Sequence, residues 1–272
     1  MSRRFWLTVA ATALAGTLVS APGSGSAATP MSPDLGMARL DDLIVETTSS
    51  GRTLLRFSAT IVNVGEGPFE LAASRPDTAS QFTTSQRVYD SDGSPSAANV
   101  PIDLVYGGDG HNHWHVKDLE VYELDRLDNG VNVGTGSKGG FCFFDTTPYR
   151  LSLPGAPQSQ TYDHHGCGTQ ASLNLTMGVS VGWGDTYSWR LPDQYIDITG
   201  LGNGKYRLHA TADPRGVFTE SDYGNNGTWV DISLSTRNGT TSVKVLGYGP
   251  TADEGPSKTR GNGNSNGNGN GH

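Results

Sequence analysis

Three of the seven histidines, His111, His113 and His115, stand at alternate positions in a segment with glycines at 107, 108 and 110. Side chains two residues apart in an extended strand point to the same face, so this spacing predicts three neighbouring imidazoles. Imidazole binds copper, zinc, iron and nickel, and three such ligands leave positions open for a reaction. Because a straight strand holds the outer two Cα atoms roughly 13 Å apart, one shared ion requires a bend or bulge. The alternative is a polar strand face that binds metal adventitiously.

Both ends of the chain have the composition of segments that do not belong to a folded core. Arg3 and Arg4 precede an apolar run over residues 5–19, which is too short to span a membrane, and small residues follow at 26–28. This pattern predicts a signal peptide over residues 1–28, of ordinary secretory or twin-arginine type. Residues 261–272 have no apolar side chain to bury, so a disordered tail is predicted over residues 251–272. The mature protein is expected to be secreted and extracellular, with no membrane span.

Between these ends the hydrophobic pattern is that of β-strands separated by turns rich in Gly and Asn. The predicted strand segments are residues 43–45, 54–62, 119–124, 195–198, 206–210 and 243–246. No convincing helical stripe longer than three turns accompanies them. The sequence therefore predicts an all-β fold over residues 35–250, either a single-domain β-sandwich or a partly closed barrel with long loops.

Charge and cysteine content bound the partners and the compartment. The formal net charge of −8 argues against a nucleic-acid partner and mildly favours cationic substrates. Cys142 and Cys167 are the two cysteines, and an even count in an exported chain predicts one disulfide. The alternative, two thiolate metal ligands, lacks a Cys-x-x-Cys spacing.

Five short motifs follow the histidines in a fixed order. They are Gly136-Ser-Lys138-Gly-Gly-Phe-Cys142, Gly182-Trp-Gly-Asp185-Thr-Tyr187, Tyr195-Ile-Asp-Ile-Thr199, Gly204-Lys-Tyr206 and Glu220-Ser-Asp-Tyr223-Gly-Asn-Asn226. Together they resemble the lysyl oxidase family of copper amine oxidases, in a bacterial-type secreted form, from about Arg39 to Leu234.

The resemblance implies both an activity and a set of site residues. The family's copper(II) ligands match His111, His113 and His115, and its self-made quinone cofactor, lysine tyrosylquinone, would join Lys138 to Tyr187. The implied enzyme resembles a protein-lysine 6-oxidase. It would use dioxygen to convert primary amines, either small amines or lysines of extracellular proteins, to aldehydes, with release of ammonia and hydrogen peroxide.

Further acidic residues and histidines lie near these motifs. Asp185, two residues before Tyr187, is taken as the candidate general base, with Asp118 as a second candidate by proximity to the histidines. His164 and His165 either line the site or belong to a solvated loop, and His209 is expected to be structural on a strand.

The chain also departs from the family pattern, and other functions remain open. It has two cysteines where animal members carry several disulfides, and residues 148–163 lengthen the connection between Lys138 and Tyr187. An alternative function is extracellular copper binding without oxidase activity. A second alternative is a β-sandwich adhesion module with incidental histidines.

Overall fold

The structure is a computed structural model that describes residues 27–107 and 112–252. The predicted signal peptide up to residue 26, the predicted tail from residue 253, and His111 lie outside these residues. The described chain forms nineteen short β-strands and one turn of 3₁₀-helix, His164–Cys167. The strands are β1 Pro30–Met31, β2 Leu35–Met37, β3 Asp41–Thr47, β4 Thr53–Asn63, β5 Phe69–Ser74, β6 Thr83–Asp90, β7 Pro95–Asn99, β8 Leu104–Tyr106, β9 Trp114–Lys117, β10 Glu120–Arg126, β11 Asn132–Thr135, β12 Gly140–Phe141, β13 Thr147–Pro148, β14 Asn174–Val179, β15 Trp183–Tyr187, β16 Tyr195–Asp197, β17 Gly204–Ala212, β18 Gly227–Arg237 and β19 Thr240–Tyr248.

The strands pair antiparallel in four sheets. A six-stranded sheet is ordered β13-β15-β4-β16, with β2 and β3 also paired to β4. Two five-stranded sheets are ordered β11-β10-β17-β18-β19 and β1-β6-β5-β14, the second with β7 beside β6. A small sheet of β12, β9 and β8 carries the candidate histidine His115 on β9, and His113 immediately precedes this strand. None of these sheets closes into a barrel, so the all-β prediction is confirmed in its sandwich-like form.

The core forms where the six-stranded sheet meets its neighbours. Strand β4 is buried along most of its length, which fits its apolar sequence and its place at the centre of its sheet. The Phe57 ring on β4 meets the Tyr122 ring on β10 edge to face, with centroids 4.9 Å apart. Strand β17 alternates buried and half-buried residues, as its sequence predicts. Each predicted strand segment lies in or overlaps an observed strand.

No helix in the described part of the chain has the length and apolar character that a membrane crossing requires.

Candidate active site

Two of the three candidate histidines converge at the start of β9. The strand begins at Trp114, and His113 lies in a bend just before it, where the His113 carbonyl accepts from the Gly107 N–H at 2.9 Å. The Nε2 atoms of His113 and buried His115 lie 3.0 Å apart. The backbone therefore bends at His113, as one shared ion would require, and His113 and His115 do not lie on one straight strand.

This pair can be tested for its fit to a metal ion. Two nitrogens about 2 Å from one ion and at right angles to each other are about 3 Å apart, close to the observed separation. Within residues 27–107 and 112–252, no group of three His, Cys, Asp or Glu side chains is arranged to hold an ion. The described residues thus supply a two-imidazole pair that suits a metal, and His111 remains the candidate third ligand outside them.

Trp114, between the two histidines in sequence, ties this strand to its surroundings. Its indole N–H donates to the Thr169 carbonyl at 2.8 Å, and its ring meets Phe82 edge to face. The Arg75 guanidinium lies 4.8 Å from the Trp114 ring centre and donates to the Ser172 carbonyl at 2.8 Å. These contacts fix the histidine strand against the loop that carries residues 169–172. Sequence analysis did not identify Arg75, whose role depends on this contact between distant segments.

Lys138 and Tyr187, far apart in sequence, are neighbours in the fold. The Lys138 Nζ lies 5.2 Å from the centre of the Tyr187 ring, and both residues are 5% exposed. Tyr187 ends β15, its hydroxyl donates to the Cys142 carbonyl at 3.3 Å, and its ring meets Phe141 edge to face. The lysine amine is thereby held beside a tyrosine ring whose own position is fixed.

Two glycines let the Lys138 segment approach its neighbours this closely. A Cβ on Gly136 would lie 2.7 Å from the Tyr122 ring, and a Cβ on Gly140 would lie 2.9 Å from the His115 Cβ. Both distances are below ordinary contact, so a larger residue at either position would displace the lysine segment.

The histidine pair and the lysine–tyrosine pair share one cavity of about 220 Å³. The lining residues are His113, His115, Lys138, Cys142, Phe144, Thr146, His164, Asp185, Thr186, Tyr187 and Leu191. A cavity of this kind, mostly apolar with a few convergent polar groups, is typical of a small-molecule site.

Asp185 is the carboxylate in the wall of this cavity. It is 2% exposed, and its Oδ2 atom has no hydrogen-bond partner among the described residues. Burial raises the pKa of Asp185 from 3.8 to about 7, against the opposing effects of the Tyr187 hydroxyl and the Lys138 charge. Burial and the nearby Asp185 also raise the pKa of Tyr187 well above 10. A carboxyl that titrates near neutral pH is suited to accept a proton in this cavity.

The other sequence candidates lie in different surroundings. Asp118 is exposed in a turn with φ of 56°, and it does not line the cavity. His164 is exposed but reaches the cavity wall, whereas the adjacent His165 does not line it. His209 lies on β17 with its Nε2 atom 3.3 Å from Asp125, which agrees with the structural role expected for it.

A second buried carboxyl, Glu120 on β10, was not identified from the sequence. Glu120 is 1% exposed, and neither of its carboxyl oxygens has a partner with hydrogen-bond geometry among the described residues. Burial raises the pKa of Glu120 from 4.5 to about 8, and the Tyr122 hydroxyl opposes this rise. The Asp185 charge also raises the pKa of Glu120, and the Lys138 charge lowers it. Glu120 and Tyr122 are spaced on β10 as Asp185 and Tyr187 are on β15, with the acid two residues before the tyrosine.

Glu120→Gln is expected to remove part of the pH dependence of stability. Because the pKa of Glu120 is raised in the folded protein, the folded state holds a proton that the unfolded state releases between pH 4.5 and about 8. This carboxyl therefore costs stability as pH rises through that window, at most about 1.4 kcal/mol per pH unit. Urea denaturation of copper-free protein from pH 4 to 9 should show the unfolding free energy of Glu120→Gln rising relative to that of wild type as pH increases across this window. Glu123→Gln, exposed on the same strand, is the control, and parallel curves for Glu120→Gln and wild type would contradict the expectation.

Cys142 and Cys167 form the predicted disulfide, with a sequence separation of 25 residues and Cα atoms 5.9 Å apart. The bridge joins the segment after β12, which carries the carbonyl that accepts from Tyr187, to the 3₁₀-helix.

Replacing both cysteines by serine is expected to cost about 3–4 kcal/mol of unfolding free energy, because the loop is no longer closed in the unfolded chain. Urea denaturation of the double variant and of reduced wild-type protein should give matching losses. A loss below about 1 kcal/mol would contradict the closure of this loop.

The chain matches known proteins over the region that carries this cavity. A family model described as Lysyl oxidase matches residues 103–244. The chain is 35% identical over 118 residues to the protein-lysine 6-oxidase of Sus scrofa, covering 43% of the chain and 41% of that protein. It is 30% identical over 176 residues to lysyl oxidase homolog 4 of Mus musculus, covering 64% and 18%. It is 32% identical over 139 residues to lysyl oxidase homolog 1 of Bos taurus, covering 50% and 21%. The matches span less than half the length of each of these relatives.

Proposed function

Because the chain belongs to the lysyl oxidase family, we propose that it is a secreted, copper-dependent amine oxidase. It converts primary amines and dioxygen to aldehydes, ammonia and hydrogen peroxide. The observation that carries the proposal is the Lys138 Nζ, 5.2 Å from the Tyr187 ring centre, in the cavity that also holds His113 and His115. These are the residue types that a lysine tyrosylquinone and a copper site require.

In this proposal the copper(II) ligands are His111, His113 and His115, and the quinone cofactor is formed from Lys138 and Tyr187. The 3.0 Å separation of the His113 and His115 Nε2 atoms supports one shared ion. When present, the metal and the quinone supply the electron-accepting chemistry that passes two electrons from the amine to dioxygen.

The chain's own residues bind, orient and move protons. The Cys142 carbonyl and the Phe141 edge hold the Tyr187 ring in one orientation. Asp185 acts as the general base that accepts the proton from the carbon bearing the amine, a role supported by its unpartnered Oδ2 atom in the cavity wall. Phe144 and Leu191 contribute apolar surface that limits water around the reacting groups.

The wider biology of the protein is part of the same proposal. Residues 1–28 serve as a signal peptide, residues 35–250 form the catalytic domain, and residues 251–272 form a Gly/Asn-rich tail. The amine is a small primary amine or a lysine side chain of an extracellular protein. The names of relatives, protein-lysine 6-oxidase among them, support the second possibility.

The deciding experiment is peptide mass spectrometry on protein secreted in the presence of copper and air. The expected result is a covalent link between the Lys138 and Tyr187 peptides, together with peroxide release when a primary amine is added. Bound copper with unmodified Lys138 and Tyr187 would instead support an extracellular copper-binding protein without oxidase activity. An oxidised Tyr187 with an unlinked Lys138 would retain the amine oxidase but change its quinone.

A further inference from the structure

The Lys138 side chain has an acidic partner on the side facing solvent. Its Nζ lies 3.4 Å from the Asp193 Oδ2, and the lysine side chain is 1% exposed whereas the aspartate side chain is 23% exposed. The buried amine is therefore paired with a carboxylate that is in partial contact with solvent.

A second cavity, of about 270 Å³, lies next to this ion pair. Its lining includes Asp193, His115, Lys117, Ser137, Gly139 and Gly140. Since His115 also lines the first cavity, and Lys138 of the first cavity pairs with Asp193 of the second, the two cavities flank the same residues. The second cavity is thus placed to serve as an approach to the proposed cofactor.

The loop that carries Asp193 is held in place by the protein. Arg56 donates from Nη1 to the Leu191 carbonyl at 2.9 Å and to the Trp189 carbonyl at 3.3 Å. The Gln194 N–H donates to the Leu191 carbonyl, and β16 begins at Tyr195. The backbone on both sides of Asp193 is consequently held by contacts that do not involve Lys138.

Formation of the proposed cofactor would change that partner. Joining the lysine nitrogen to the Tyr187 ring replaces one N–H and one ring C–H bond by an N–C bond. The ring also gains one oxygen atom, two dioxygen molecules are reduced to one water and one hydrogen peroxide, and the ammonium releases one proton. The product nitrogen, conjugated with the quinone, carries no positive charge. Asp193 would then lose its cationic partner while still lining the second cavity.

We propose that Asp193 binds the protonated amine of the substrate in the second cavity, in place of the charge that Lys138 loses. This inference rests on the proposed function and names the residue that selects a primary ammonium. Lys117 lines the same cavity and is exposed, so its charge opposes an incoming cation. Removing the Asp193 charge should therefore weaken substrate binding, and removing the Lys117 charge should strengthen it.

The test uses secreted, copper-loaded, air-matured Asp193→Asn protein. Peptide mass spectrometry first measures the Lys138–Tyr187 link, and kinetics with butylamine then give KM and kcat. The expected result is a normal link, a KM raised about tenfold and a kcat within about threefold of wild type, the scale for losing a charged hydrogen bond. Inhibition by butylguanidinium, a cation that is not oxidised, should weaken by the same factor.

Further variants separate this role from a structural one. Asp193→Glu should restore most of the affinity, and Lys117→Gln should lower KM by up to about fivefold. Asp231→Asn is the matched control, because Asp231 is similarly exposed at 19% and pairs with Arg207 away from both cavities. Unchanged KM and inhibition in linked Asp193→Asn protein would overturn the inference. If the Lys138–Tyr187 link were missing only in Asp193→Asn protein, Asp193 would be assigned to cofactor formation, and the inference would also be overturned. A link missing from wild type would instead reject the proposed function.

Discussion

Lys138→Arg is expected to abolish amine-dependent peroxide production while leaving the fold and copper binding intact. Arginine keeps the positive charge beside Asp193, but its guanidinium is a poor nucleophile and does not form the link to Tyr187. Activity should fall by at least about a thousandfold, the scale on which removing one member of a catalytic unit acts. Peroxide release with a primary amine and peptide mass spectrometry measure the two effects together.

The control for this substitution is Lys205→Arg, on the exposed side of β17 and away from both cavities. It should keep both the link and the activity. Tyr187→Phe, which removes the hydroxyl required for ring oxidation, should lose both, as Lys138→Arg does. Amine oxidation by folded, copper-loaded Lys138→Arg protein at more than a tenth of the wild-type rate would reject the cofactor assignment.

Asp185→Asn is expected to lower kcat by about 10²–10⁴-fold, the usual contribution of a positioned general base. Asparagine fills the same space on β15 but does not accept a proton. Because burial raises the pKa of Asp185 to about 7, the wild-type rate should rise with pH through that region as the carboxylate forms. The variant should lack this rise, and stopped-flow reduction of the enzyme by a primary amine measures both effects.

The state of the cofactor must be known before this result is interpreted. Variant protein that contains the Lys138–Tyr187 link but reacts slowly supports a role for Asp185 in amine oxidation. Deuterium on the carbon bearing the amine should then slow the variant at least as much as the wild type, because proton abstraction limits the rate. Linked variant with a kcat within tenfold of wild type and the same pH profile would show that the base is another group.

Local sequence patterns were sufficient to predict the disulfide and six strand segments, which correspond to six of the nineteen strands in the described residues. Branched and aromatic runs such as 54–62 define β4, because local propensity and burial agree there. Two cysteines in a chain with a predicted export signal left few alternatives to the Cys142–Cys167 bridge. Lys138 and Tyr187 were identified from the family resemblance that five motifs in a fixed order carry together, because neither motif is specific by itself.

The remaining features depend on contacts that sequence patterns do not contain. Glu120 and Glu123 lie on one short strand, but only Glu120 is buried, because β10 packs that face against the six-stranded sheet. Asp193 looks like an ordinary loop acid until the fold brings it to Lys138. The bend at His113 depends on a backbone hydrogen bond to Gly107, which spacing alone does not specify.

The Cys142–Cys167 disulfide also has a consequence for when the proposed cofactor forms. Lys138 lies four residues before Cys142, and the Cys142 carbonyl accepts from the Tyr187 hydroxyl. The bridge and strand β12 hold this segment together with backbone hydrogen bonds from Gly136 to Tyr122 and from Ser137 to Tyr195. The bridge is therefore one of several contacts that keep Lys138 beside Tyr187, and we expect reduced protein to hold the two residues less firmly. In the proposed enzyme, disulfide formation would accordingly assist maturation, and protein loaded with copper while reduced should form the Lys138–Tyr187 link more slowly.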